Sequence, residues 1–129
     1  QFAFVDMFGI HIEQCRMLGS SFDETNMIGV VIIGGDWSYT NLRFHDFSQL
    51  DLSEVNFFGA DLTGVNFEKC NLDFVNFEQA KLSRVKLKGA DLRRAIVTNV
   101  SLSQLDLKDV KMYIVQCVQL AISLGAKVD

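Results

Sequence analysis

No apolar run in the chain approaches the ~18 residues that a helix needs to cross a bilayer. Nor does a basic stretch, an apolar core and a small-residue cleavage site open it in the manner of a secretory signal. The expectation is a soluble, cytoplasmic protein with no membrane partner. Cysteine is scarce: Cys15, Cys70 and Cys117 are odd in number and far apart, which fits neither a disulfide framework nor the paired spacing of a zinc site. They are expected as buried thiols acting as small hydrophobes. Basic residues are rare over most of the chain. Twelve of the sixteen acidic residues precede Lys81, with only three of the twelve basic ones, and the total is −4. Such an imbalance is either plain solvated surface or a field that steers a cationic partner to the first two-thirds of the molecule.

What is present is a period of five. Ala60 to Ala95 reads ADLTG VNFEK CNLDF VNFEQ AKLSR VKLKG ADLRR A, and stepping by five from Leu62 meets an apolar residue at every position from Phe2 to Met112. Two residues before each of these centres the side chain is usually apolar as well, with Ser20, Thr25, Gly35, Thr40 and His45 as exceptions. This is neither helical nor strand periodicity, and an unbroken internal repeat outranks local propensity. The chain must turn a corner at every block, so that the centre and the residue two before it point inward and the other three face water. Four blocks close one square coil. Seven of the nine glycines fall two residues after a centre, where a tight turn favours positive φ.

Positions twenty apart then stack. Three interior columns follow: Phe2, Phe22, Leu42, Leu62, Leu82, Leu102; Met7, Met27, Phe47, Phe67, Leu87, Leu107; and Met17, Trp37, Phe57, Phe77, Val97. Nearly six coils at the ~4.8 Å spacing of neighbouring strands give a rod on the order of 27 Å long.

The period ends at residue 112, dividing the chain into a repeat region, 1–112, and a tail, 113–129. From Tyr113 to Leu124 the polar Gln116, Gln119 and Ser123 fall on one narrow helical stripe, and Gly125 suits the position after a helix end. The remaining circumference is apolar, more than one contact with the end of a coil would bury. One side is therefore expected to cap the last coil. Another, drawn from Ile114, Val115, Val118, Ala121, Ile122 and Leu124, is expected to meet a second copy in a two-fold homodimer with the rods end to end. Gln1 and Phe2 fall in mid-repeat, so further coils or a plug are expected before them.

No catalytic constellation emerges. His11 lies in an outward slot and His45 in an inward one, with Asp46 turned to the outside beside it. Gly34-Gly35 lacks the helix of a phosphate loop and reads as corner geometry. Asp23 and Glu24 are exposed neighbours with nothing to separate their pKa values. The chain is not expected to be an enzyme, and no metal or cofactor is expected.

The outward acids are more regular. Asp51, Asn71 and Asp91 stack on one face beside Glu54 and Asp73; Asp46, Asn66 and Glu68 lie on an adjacent face; Asp36, Asn56, Asn76 and Glu78 lie on a third. With Asp61, the candidate partner-binding acids are Asp36, Asp46, Asp51, Glu54, Glu68, Asp73 and Glu78. A stiff rod with spaced negative charge imitates duplex DNA, although DNA carries a charge about every 1.7 Å of axis and this chain far fewer. Direct contact with nucleic acid is not expected. Against the pattern stand the basic cluster Lys81, Arg84, Lys86, Lys88, Arg93 and Arg94, and the outward apolar residues Phe8, Leu18, Ile28, Val31 and Ile33.

The A-(D/N)-L-x-x motif at Ala60-Asp61-Leu62 and Ala90-Asp91-Leu92 resembles that of pentapeptide-repeat proteins. The resemblance covers roughly residues 1–112 and implies an all-β solenoid, a right-handed quadrilateral β-helix, here with a short C-terminal α-helix. Within that family the chain resembles the Qnr-type quinolone-resistance proteins. The residues are Gly9-Ile10-His11-Ile12-Glu13-Gln14-Cys15-Arg16, the run of D/N-L/F blocks, and Leu120 to Gly125 at the end of the tail helix. That resemblance implies a dimeric DNA mimic that binds DNA gyrase and topoisomerase IV and protects them from fluoroquinolones. The uninterrupted blocks leave no room for the projecting loops of some members. The alternative is a repeat scaffold with an unrelated protein partner.

Overall fold

A single five-residue block shows why the chain coils. Around Leu62, the N–H of Asp61 donates back one coil to Thr40 O at 2.9 Å, and that of Leu62 donates forward to Lys81 O at 3.0 Å. Thr63 N–H is taken by the Asp61 carboxylate at 3.1 Å, Gly64 N–H by Ser83 O at 2.9 Å, and Val65 N–H by Leu62 O at 3.0 Å. Two bonds run up the stack, one runs down it, and two close the corner. All five donors are satisfied within the fold, as buried backbone requires. The residue two after the centre has positive φ in nearly every described block, whether it is glycine (Gly64, +72°) or not (Glu54, +65°; Arg84, +58°).

The computed structural model describes residues 5–100 and 105–129. Parallel pairings join residues twenty apart along the chain: Asp6 with Asn26, Asn41 with Asp61, Asp46 with Asn66, Asn66 with Lys86, Asp91 with Lys111. The molecule is therefore a β-helix of four blocks per coil. Extended strand is sparse: β1 (His11–Glu13) pairs in parallel with β2 (Val31–Ile33), and other contacts between coils are isolated bridges. A chain that turns every five residues leaves too little extended backbone on each face for longer strands.

The columns form the core as far as Val97; Leu107, placed in the second column by the twenty-residue register, corrects that expectation, since it is exposed. Phe22, Trp37, Leu42, Phe47, Leu52, Phe57, Leu62 and Phe67 are fully buried. Rings follow one another up the columns, stacked for Phe57 and Phe77 at 6.0 Å and tilted for Phe47 and Phe67 at 6.3 Å, and meet across the interior, Phe22 with Trp37 at 5.2 Å. Each such side chain contributes about 1.5–3 kcal/mol of burial. Trp37 carries a buried indole N–H without a partner among the described residues. Phe2 and Leu102, assigned to these columns from the sequence, lie outside the described residues. The inner slots also hold polar groups that find carbonyls one coil back: His45 Nε2 lies 2.8 Å from Phe22 O, and Cys70 Sγ donates to Phe47 O at 2.7 Å. Burial pushes the Cys70 thiol up to about 11. Cys15 and Cys117 correct the expectation of three buried thiols, since both are exposed. In its slot Cys15 is left uncovered, as Val5 and Ile10 are, and Cys117 sits on the outer side of the tail helix.

Helix α1 (Ile114–Ser123) follows, with Tyr113 as N-cap, Leu124 as C-cap and Gly125 at φ +94°. One residue of its polar stripe does the capping. Gln116 is buried, accepts from Tyr113 N–H at 2.9 Å, and donates through Nε2 to the carbonyls of Leu92 and, at 2.9 Å, Ala95. Leu120 is buried beside it. The sequence had assigned this contact to an apolar side; an amide takes it because the end of a coil presents unpaired carbonyls.

Candidate partner-binding surface

The bridges place the candidate acids on faces as the twenty-residue register requires: Asp51 with Asn71, Asp46 with Asn66, Asp36 with Asn56 and on to Asn76. Asp61 lies on the fourth face, between Asn41 and Lys81. Asp46, Asp51 and Glu54 are exposed; Asp36, Asp61, Glu68, Asp73 and Glu78 are half-buried.

Four of these acids have a structural duty that sequence reading missed. Asp36, Asp46, Asp51 and Asp61 each accept, through Oδ1, the N–H two residues on, at 2.9–3.1 Å. Ser38 and Thr63 add hydroxyl bonds of 2.5 and 2.6 Å to Asp36 and Asp61. These bonds favour the charged form: Ser38 holds Asp36, and Ser48 holds Asp46, below the usual carboxylate range. Asn41, Asn56, Asn66, Asn71 and Asn76 do the same with a neutral oxygen. The signal was in the sequence, in the interchange of Asp and Asn at one slot.

That interchange has an electrostatic order. Up each face an Asp is followed by Asn or Lys one coil later: Asp51–Asn71, Asp46–Asn66, Asp36–Asn56, Asp61–Lys81, Asp91–Lys111. Two carboxylates in one slot would stand ~4.8 Å apart and repel, whereas the amide keeps the turn bond without the charge. Cations remove further charge. Arg43 lies 3.7 Å from Asp61, Arg94 3.5 Å from Asp73, and Arg93 2.8 Å from Asp91. Asp36, Asp46, Asp51, Glu54, Glu68 and Glu78 have no ion pair among the described residues.

The basic cluster is divided between faces. Arg93 reaches Asp91 and the Tyr113 ring at 6.0 Å, tying the last coils to α1. Arg84 lies 5.6 Å from the ring of exposed Phe44, which Arg43 approaches at 5.4 Å. Phe8, Leu18, Ile28 and Ile33 are exposed. On α1, Ile114, Val115, Ile122 and Leu124 are exposed, while Val118 and Ala121 are half-buried. No helix is long and apolar enough to cross a membrane, and no three metal-ligating side chains converge, among the described residues.

The pentapeptide-repeat family model matches residues 38–73, 50–89, 60–99 and 76–112, more than half of the chain. The chain belongs to the pentapeptide-repeat proteins. The repeat continues below the matched segment, through β1 and β2, with the same register. Among solved structures, this pentapeptide-repeat protein is similar to one from the thylakoid lumen of Arabidopsis thaliana. The two are 27% identical with a TM-score of 0.56, over 86% of this chain and 77% of that one. It also matches HetL, a pentapeptide-repeat protein involved in heterocyst differentiation regulation from the cyanobacterium Nostoc. Identity there is 21% and the TM-score 0.40, over 82% of this chain and 59% of that one. A trypsin-treated form of QnrB1, a plasmid-mediated fluoroquinolone resistance protein, is 25% identical with a TM-score of 0.35, over 95% of this chain and 60% of that one. At those scores the last two add nothing to the fold assignment. No curated protein matches the chain.

Proposed function

We propose that this pentapeptide-repeat protein is a non-enzymatic binding protein that presents its acidic faces, in imitation of duplex DNA, to DNA gyrase and topoisomerase IV, and protects them from fluoroquinolones. The observation that carries the reading is the set of carboxylates without an ion pair among the described residues, Asp36, Asp46, Asp51, Glu54, Glu68 and Glu78, spread over adjacent faces of one column. Their turn bonds fix Asp36, Asp46 and Asp51 in place, so the charge pattern is preorganised and its ordering entropy is already spent. The Qnr-like residues from Gly9 to Arg16 and from Leu120 to Gly125 support the choice of partner. In this reading the coil is right-handed and quadrilateral, and the protein works in the cytoplasm. The exposed apolar side of α1, with Ile114, Val115, Ile122 and Leu124, joins two copies through a two-fold axis.

A second reading is a repeat scaffold for an unrelated protein. The alternation of Asp with Asn and Lys favours it, because the charge is sparser than that of DNA. Binding to immobilised gyrase separates the two. The topoisomerase reading expects binding that double-stranded DNA competes away and that falls steeply as salt rises. Binding absent at low salt, or indifferent to competing DNA, favours the scaffold.

A further inference from the structure

On the face of Asp51 the column at residues 14, 34 and 54 runs Gln14, Gly34, Glu54, a missing side chain between two long ones. This column borders a surface notch of about 330 Å³. Its apolar lining includes Val31, Ile33 and Leu50; Asp51 and Glu54 also line it, and the Gln14 amide lies over Gly34. Gly34 has φ of +54°, and the nearest atoms to a Cβ built on it are those of the Gln14 side-chain amide, which occupies that space instead. Asp51 spends one carboxylate oxygen on Ser53 N–H, leaving the other free, and Glu54 has no ion pair among the described residues.

We infer that this notch receives an arginine side chain of a protein partner. Its size is at the small end of ligand pockets, ~300–1,000 Å³, which suits one side chain better than a cofactor. An apolar wall beside two carboxylates matches a group with an aliphatic stem and a cationic head. Two carboxylates in one lining suit the planar fork of a guanidinium, which can donate to both, better than the single point charge of an ammonium. The inference rests on reading the acidic surface as partner-binding, but not on the partner being a topoisomerase.

The test is a ¹H–¹⁵N NMR titration of the whole chain with N-acetyl-arginine-N-methylamide. The expected result is saturable shifts at Gly34, Leu50, Asp51 and Glu54, with affinity on the order of millimolar for so small a probe. Guanidinium chloride and N-acetyl-norvaline-N-methylamide, which each lack one half of the group, should bind several-fold more weakly. Glu54→Gln should weaken the arginine probe by about threefold. That variant keeps the fold, because Gln49 and Gln79 occupy the same backbone position with φ of +65° and +59°. Ile33→Ser removes the apolar wall and should also weaken binding; Ser53 stands in the same column. Shifts of equal size at Glu68 and Glu78, or no change in Glu54→Gln, would overturn the assignment. So would concentration-dependent broadening at the notch without probe, which identifies a second copy as the occupant. If the probe binds and gyrase does not, the topoisomerase reading falls and the notch stands. If gyrase binds the parent and both variants equally while the probe is lost, the notch is not where a partner docks.

Discussion

Phe44 and Arg84, forty residues apart in the chain, meet two coils apart over the bare backbone of Gly64. The guanidinium lies 5.6 Å from the ring, and a Cβ built on Gly64 would come within 2.2 Å of it. Gly89 has the same φ, +72°, and open space around it. Gly89→Ala therefore feels only the left-handed backbone, about 1–2 kcal/mol, whereas Gly64→Ala must also displace Phe44. Urea unfolding should rank Gly64→Ala below Gly89→Ala, and the difference should vanish when both are made in a Phe44→Ala background.

Asp51→Asn should leave stability within about 0.5 kcal/mol of the parent, because Asn71 and Asn56 already fill this slot. Asp51→Ala removes the acceptor for Ser53 N–H and should cost about 1 kcal/mol. Reading the slot as pure surface would make the two variants equal, which chemical denaturation can decide.

Trp37→Phe removes an indole N–H that is buried without a partner, a defect of about 1–3 kcal/mol, against a comparable loss from the smaller ring. The net change should stay within about 1 kcal/mol, while Phe67→Ala, in the same core, should cost about 3–5 kcal/mol.

Gln116→Leu should loosen α1 from the last coil, since the carbonyls of Leu92 and Ala95 lose their donor. The expected cost is about 2 kcal/mol, and hydrogen exchange should quicken in α1 before it does so in the coils around Phe57.

The Arg93 side chain holds Asp91 down from 3.8 to about 2. A carboxyl depressed in the folded state stabilises above its unfolded value and loses that contribution as pH falls through the folded one. The Asp91–Arg93 contribution is thus complete above pH ~4 and lost toward pH ~2. Asp91→Asn should flatten the fall of the urea midpoint across that window.

The inside of the molecule was legible because the centres from Met7 to Val97 repeat without a slip, and a one-residue shift would have turned every one of them outward. Positive φ two residues after each centre was legible at the glycines and extends to Glu54, Phe74 and Arg84. What the residues did not disclose is who accepts each polar hydrogen. An Asp in an outward slot looks alike whether it serves solvent, partner or turn, and only the bond from Asp51 Oδ1 to Ser53 N–H tells them apart. The role of Gln116 was not legible for the same reason: nothing in the sequence shows the carbonyls of Leu92 and Ala95 that its amide meets. The notch was hidden because the twenty-residue register gives the columns but not the space left between neighbouring coils.

The most direct measurement is gyrase supercoiling in the presence of ciprofloxacin, titrated with this protein and with a variant carrying Asp46→Asn, Asp51→Asn, Glu54→Gln and Asp73→Asn. These substitutions keep the turn acceptors and remove four charges. The account expects the parent to restore supercoiling and the folded variant to fail. Equal rescue by both proteins would contradict it, as would no rescue by the parent.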